Sequence, residues 1–179
     1  MPPCAVSRTG VQHPRYRYNA GENVHRSYEA FLWLRDRDGS CDTVHFPEWA
    51  GAGYFTALAK RQGLAFARTR IVIQTHSPTA WATFGNELWP AGERFIETDF
   101  IERESIRLAD VLVTPSHYMI GWMAESGWRV PETVQFLRNV NDNKGARLTN
   151  PANPAAVASS SKAEMHEIVF FVPQLRHRF

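Results

Sequence analysis

The sequence holds only two cysteines, Cys4 and Cys41. Two thiols in 179 residues cannot make a disulfide framework, so a reducing compartment, the cytoplasm, is the expected location. Charge of one sign is equally scarce: 20 Lys and Arg against 18 Asp and Glu leave a formal charge of +2. The basic residues form no dense stripe, which argues against a nucleic-acid partner. No apolar run approaches the ~20 residues of a membrane span. The stretch Met1 to Tyr18 carries prolines and arginines but no apolar run of signal-peptide type. Zinc-type Cys/His spacing is missing, and Pro47 between His45 and Glu48 forbids a helical HExxH arrangement, so no metal is expected. Complete G-x-G-x-x-G and GK[ST] loops are also missing; Gly51-Ala52-Gly53 is only a fragment of a phosphate cradle.

What the chain does have is a regular alternation. Residues 1–23, broken by Pro2, Pro3, Gly10, Pro14 and Gly21, read as a disordered or extended terminus. From Val24 to Arg37 the spacing of Tyr28, Phe31, Leu32 and Leu34 predicts a helix, ended by Gly39. A strand is expected at 42–46, a helix at 54–63 and a strand at 70–75. A long aromatic loop should run from His76 to about Gly92, then a helix over 93–109 with Glu97, Asp99 and Glu102 towards its start. A strand at 110–114 is apolar on both faces, as a buried parallel strand should be. Ser116 suits the N-cap of a helix in which Met119, Trp122 and Met123 face one way, and a strand follows at 133–137. Strand, helix, strand with short joints implies parallel strands and right-handed crossovers. The expected fold class is therefore α/β, a Rossmann-like parallel sheet with flanking helices over residues 24–140. The Asn-, Pro-, Ala- and Ser-rich stretch 141–165 reads as a linker, and 166–179 as the first strand of a second domain. Its apolar run at 166–172 is expected to find no partner in this chain.

Ligands of open parallel sheets bind beyond the carboxyl ends of the strands. Those ends carry His45 with Glu48 and Trp49, then Thr75-His76-Ser77, then Thr114-Pro115-Ser116, then Asn139. A neutral imidazole at His76 could bond a sugar hydroxyl or carbonyl, or be a structural histidine bonded to nearby backbone. Glu48 could accept from an acceptor hydroxyl or cap the following helix. Trp81 and Trp89, in the polar loop, are the candidate binding aromatics; the other tryptophans are better placed in the core.

Three segments carry a longer pattern: VHFPEWAGAGYFTALAKRQGLAF, THSPTAWATFGNE and ETDFIERESIRLADVLVTPSHYMIGWMAESGWRVPE. The last contains D-x-x-E-R-x-S-x-x-x-A-D-x-x-[VL]-x-P-S-x-Y, followed by a Trp in the next helix. From Asp42 to Asn139 the chain resembles the amino-terminal domain of retaining GT-B glycosyltransferases of family 4, close to the glycogen/starch synthase-like group. The resemblance implies two Rossmann-like domains facing a cleft, metal-free transfer of a hexose from a nucleotide-sugar donor, and a carbohydrate acceptor bound mainly by the first domain. It makes His76 the catalytic candidate, matching a histidine that contacts the donor sugar near the reacting carbon. Substrate-binding candidates are His45, Glu48, Trp81 and Ser116; Ser116 and Tyr118, in the P-S-x-Y stretch, are expected to be mostly structural.

The departures from the family are informative. Its usual first strand and Gly-rich loop have no counterpart in residues 1–23, and the second domain's phosphate-binding groups are missing. Where the family continues Gly-Arg-Leu, Phe171 is followed by Val172-Pro173-Gln174-Leu175. The chain is thus expected to be a partial glycosyltransferase, inactive alone. The competing reading is a non-catalytic remnant that binds an acceptor glycan or a partner protein. A metal-free hydrolase built on His76 and Glu48 lacks any nucleophile arrangement.

Overall fold

Short β-branched runs separated by helices of one to five turns set the architecture. The computed structural model describes residues 20–137 and the backbone of 167–169. In chain order these are α1 (Glu22–Arg35), β1 (Thr43–Pro47), a 3-10 turn (Trp49–Gly51), α2 (Tyr54–Arg61), β2 (Arg70–Gln74) and α3 (Thr79–Gly85). Then follow α4 (Gly92–Leu108), β3 (Val111–Thr114), α5 (His117–Glu125), β4 (Val134–Phe136) and β5 (Glu167–Val169). The strands form one sheet in the order β4-β3-β2-β1-β5, and every pairing is parallel. This is the Rossmann-like α/β arrangement expected from the alternation.

Register divides the sheet into two faces. Val44 pairs with Ile71 and Phe46 with Ile73, which in turn pairs with Leu112. These five residues pack in the main core with Leu34 of α1, Ala57 of α2, Ile106 of α4 and Met119 and Met123 of α5. The opposite face carries a second, smaller cluster of Val72, Val111 and Val113. Strand β3 is buried along its whole length, in keeping with its uninterrupted apolar sequence.

Three expectations need correction. Helix α1 starts at Glu22, inside the segment expected to be extended. Distant partners fix that start: Gly21 donates its N–H to Glu97 at 2.9 Å, and Asn23 donates its amide to Thr98 Oγ1 at 3.1 Å. Residues 1–19 and the linker 141–165 lie outside the described residues. Second, the stretch His76 to Gly92 is not all loop, because α3 occupies Thr79–Gly85. Pro78 fixes the entry, and its carbonyl accepts the Ala82 N–H at 2.9 Å. Third, the described part of the run at 166–172, residues 167–169, does find a partner. Glu167, Ile168 and Val169 pair in parallel with Thr43, Val44 and His45, so these residues extend the first sheet. The edge of β1 would otherwise leave its ladder of N–H and C=O groups open on that side.

The Gly51-Ala52-Gly53 fragment turns out to serve packing. A Cβ on Gly51 would lie 2.4 Å from Ile101 Cγ1, and one on Gly53 would lie 2.7 Å from Ile73 Cδ1. Both glycines let α4 and the sheet approach backbone directly.

Candidate functional site

Parallel strands deliver their carboxyl ends to one edge, and two buried carboxylates organise it. Strand β1 ends at Pro47, and the next residue, Glu48, is 0 % exposed. Its backbone N–H donates to the Gln74 carbonyl at 2.9 Å, while its carboxylate reaches across to the exit of β2. Oε2 accepts the His76 N–H and Oε1 the Ser77 N–H, both at 2.6 Å. The second carboxylate, Glu102 of α4, is also 0 % exposed. It accepts the Ala50 N–H at 2.9 Å, the Thr79 N–H at 2.8 Å and the Thr79 hydroxyl at 2.7 Å. Glu102 therefore ties the turn after β1 to the first residue of α3, and Glu48 ties that same turn to the loop before α3. Ala50 sits at φ 61 within this turn, a left-handed conformation that an L residue holds only when its surroundings fix it.

Both carboxylates are electrostatically costly. Burial pushes Glu48 up from 4.5 to about 7, opposed by the His76 and Ser77 N–H groups and reinforced by the charge of Glu102. Burial likewise pushes Glu102 up to about 7, opposed by its bonds from Thr79 and Ala50 and reinforced by Asp99.

The sequence candidates fall into distinct positions. His76 is exposed directly beyond β2, with its backbone clamped and its imidazole at the surface. Ser116 lies beyond the neighbouring β3, on the same edge; Thr75 and Thr114, which precede these exits, share a hydroxyl hydrogen bond of 2.9 Å. The Ser116 hydroxyl accepts the Tyr118 N–H at 3.1 Å as the N-cap of α5. His45 sits two residues inside β1, level with Val72 and half-buried. Glu48 is fully buried with both carboxylate oxygens bonded to the His76 and Ser77 N–H groups, and so acts as a positioning residue for the His76 loop. Trp81 belongs to α3, where it is half-buried against the main core; Trp89, beyond α3, is 87 % exposed. Asn139 lies outside the described residues. Among the described residues no three His, Cys, Asp or Glu side chains are grouped to hold a metal ion. No described helix is long and apolar enough to cross a membrane.

Sequence reasoning missed Glu102 as part of the site. The signal was available, since Glu102 lies between Thr98 and Ile106 at four-residue spacing, on the stripe that Ile101, Ser105 and Leu108 define as buried. An acid on such a stripe must have donors waiting for it. No protein-family model matches the chain, and no curated protein matches it either.

Proposed function

We propose that the chain is the acceptor-side, Rossmann-like half of a retaining GT-B glycosyltransferase, in which His76 contacts the sugar being transferred. The observation that carries this reading is the double clamp behind His76. Two fully buried carboxylates fix the backbone of residues 76, 77 and 79 and leave the imidazole exposed at the carboxyl edge of a parallel sheet. Burying two acids to immobilise one loop is expensive, and such preorganisation is the usual requirement for a polar group that must meet a ligand in one orientation. An imidazole can donate to or accept from a sugar hydroxyl, and a fixed loop spares the reordering cost at the moment of transfer. The sugar comes from a nucleotide-sugar, whose diphosphate is held by groups outside this half, and the acceptor is a carbohydrate.

The test follows the His76 ring signals by NMR while nucleotide-sugars, free hexoses and short glucans are titrated into the chain. The expected result is a saturable shift of His76 with at least one sugar, lost in Glu48→Ala, which frees the loop. A His76 signal that no sugar moves at millimolar concentration refutes the proposal.

A further inference from the structure

At the opposite, amino-terminal edge of the sheet lies a cavity of about 400 Å³. Lys60 from the end of α2, Arg68 and Arg70 at the entry to β2, and Asp110 ahead of β3 form its charged wall. Thr133, just before β4, and Gln135, within it, add a hydroxyl and an amide. Register explains the convergence. Arg70 is two residues before Val72, and Gln135 pairs with Val113, so both fall on the sheet face opposite the main core.

The charges there do not cancel. Asp110 Oδ2 is saturated, accepting Lys60 Nζ at 2.6 Å and the Ile71 N–H at 2.7 Å. Lys60 is equally committed, with a second bond to the Thr69 carbonyl at 2.7 Å. That leaves the side chains of Arg68 and Arg70, both exposed; the Arg70 backbone N–H donates to the Asp42 carbonyl at 2.7 Å, but neither guanidinium group has a hydrogen bond or ion pair among the described residues. Two unmatched guanidinium groups two residues apart, beside a hydroxyl and an amide, offer several N–H and O–H donors to one small anion. Planar guanidinium forks match the oxygens of a phosphoryl group in a bidentate manner.

We infer that this cavity is an anion site for the phosphoryl group of a small molecule, a sugar phosphate or inorganic phosphate, remote from the His76 edge. It does not depend on the glycosyltransferase reading, because no residue of the clamp contributes to it. The pocket is walled by strand starts and one helix end, which fits a compact ligand better than an extended polyanion.

The experiment titrates inorganic phosphate, pyrophosphate and a hexose monophosphate into the full chain by calorimetry at low salt. Arg68→Gln, Arg70→Gln and the double variant are compared, with Lys60 left intact because it supports Asp110. The expected result is saturable binding, weakened about tenfold for each guanidinium removed and weakened further by salt. With inorganic phosphate and pyrophosphate, which carry no sugar, His76→Ala should bind as the parent does. Tighter binding of the hexose monophosphate identifies an organic phosphate, and equal binding identifies the free ion; either upholds the site. Absence of saturable binding by all three probes overturns it. So does binding that the double variant retains unchanged, provided circular dichroism shows that variant folded.

Discussion

Replacing Glu48 by Gln tests the clamp at its most loaded point. The substitution keeps the shape and removes the charge. One amide oxygen can still accept from His76 or Ser77, but the amide NH2 then faces the other N–H, leaving that donor unsatisfied at a cost of about 1–3 kcal/mol. Against this stands the relief of burying a charge. Raising the carboxyl pKa from 4.5 to about 7 corresponds to about 3 kcal/mol between its two protonation states. The sign follows from proton counting. Between pH 4.5 and about 7 the folded state holds a proton on Glu48 that the unfolded state has released, so stability falls as pH rises through that window. The Glu48 contribution is fully present below pH 4.5 and lost above about 7.

Glu48→Gln has no proton to lose. At pH 5 it should therefore be less stable than the parent by about 1–3 kcal/mol. At pH 8 the parent has lost about 3 kcal/mol from this site, so the two should be about equal or the variant slightly more stable. Urea unfolding of both proteins at pH 5, 6, 7 and 8 reads the difference directly; carboxylates that do not interact with Glu48 cancel in the comparison, and its coupling to Glu102 is part of what is read. A stability difference between parent and variant that stays constant over that range refutes the reasoning, because it means that Glu48 titrates alike in the folded and unfolded chains.

Three further outcomes are expected. Glu102→Ala removes the acceptor of the Thr79 and Ala50 N–H groups, and hydrogen exchange in α3 should quicken while β2 and β3 keep their protection. In an enzyme completed by a nucleotide-sugar-binding domain, His76→Ala should lower turnover about ten- to a hundredfold. Its unfolding free energy should move by no more than about 0.5 kcal/mol, since the ring is exposed. Gly51→Ala and Gly63→Ala both place a methyl at positive φ, but only the first meets neighbours, with Ile101 at 2.4 Å. Gly63→Ala should cost about 1 kcal/mol and Gly51→Ala about 3 kcal/mol or more in a denaturant titration, and equal costs would remove the close-approach explanation.

Much of the fold was legible because it is local. The runs at 43–47, 70–74 and 111–114 are β-branched and bounded by turn residues, and the stretches between them keep helical spacing. Parallel pairing followed from those connections. What could not be read depends on partners far along the chain. Helix α1 begins early because Glu97 and Thr98 receive its first donors. Helix α3 forms in a stretch of loop-like composition because Glu102, 23 residues away, caps it. The pairing of β5 with β1 joins segments more than a hundred residues apart, a separation at which sequence spacing carries no signal.

The two glutamates illustrate how a site can be half legible. Glu48 stood out because it follows a strand end, where a carboxylate can meet a ligand, and its side chain then proved to be spent on backbone. Glu102 stood in the D-x-x-E-R-x-S pattern without an assigned role, although its stripe position already required buried donors. Burial is the main cost of charging each glutamate, and the charge of Glu102 adds to it at Glu48 as that of Asp99 does at Glu102. A chain optimised only for stability would fill these positions with apolar side chains and let the loop after β2 find its own hydrogen bonds. The retention of two carboxylates, aimed at the backbone of residues 76, 77, 79 and 50, places the requirement on the loop itself. The part of that loop left facing solvent is His76, and it is there that a ligand-dependent change should be sought first.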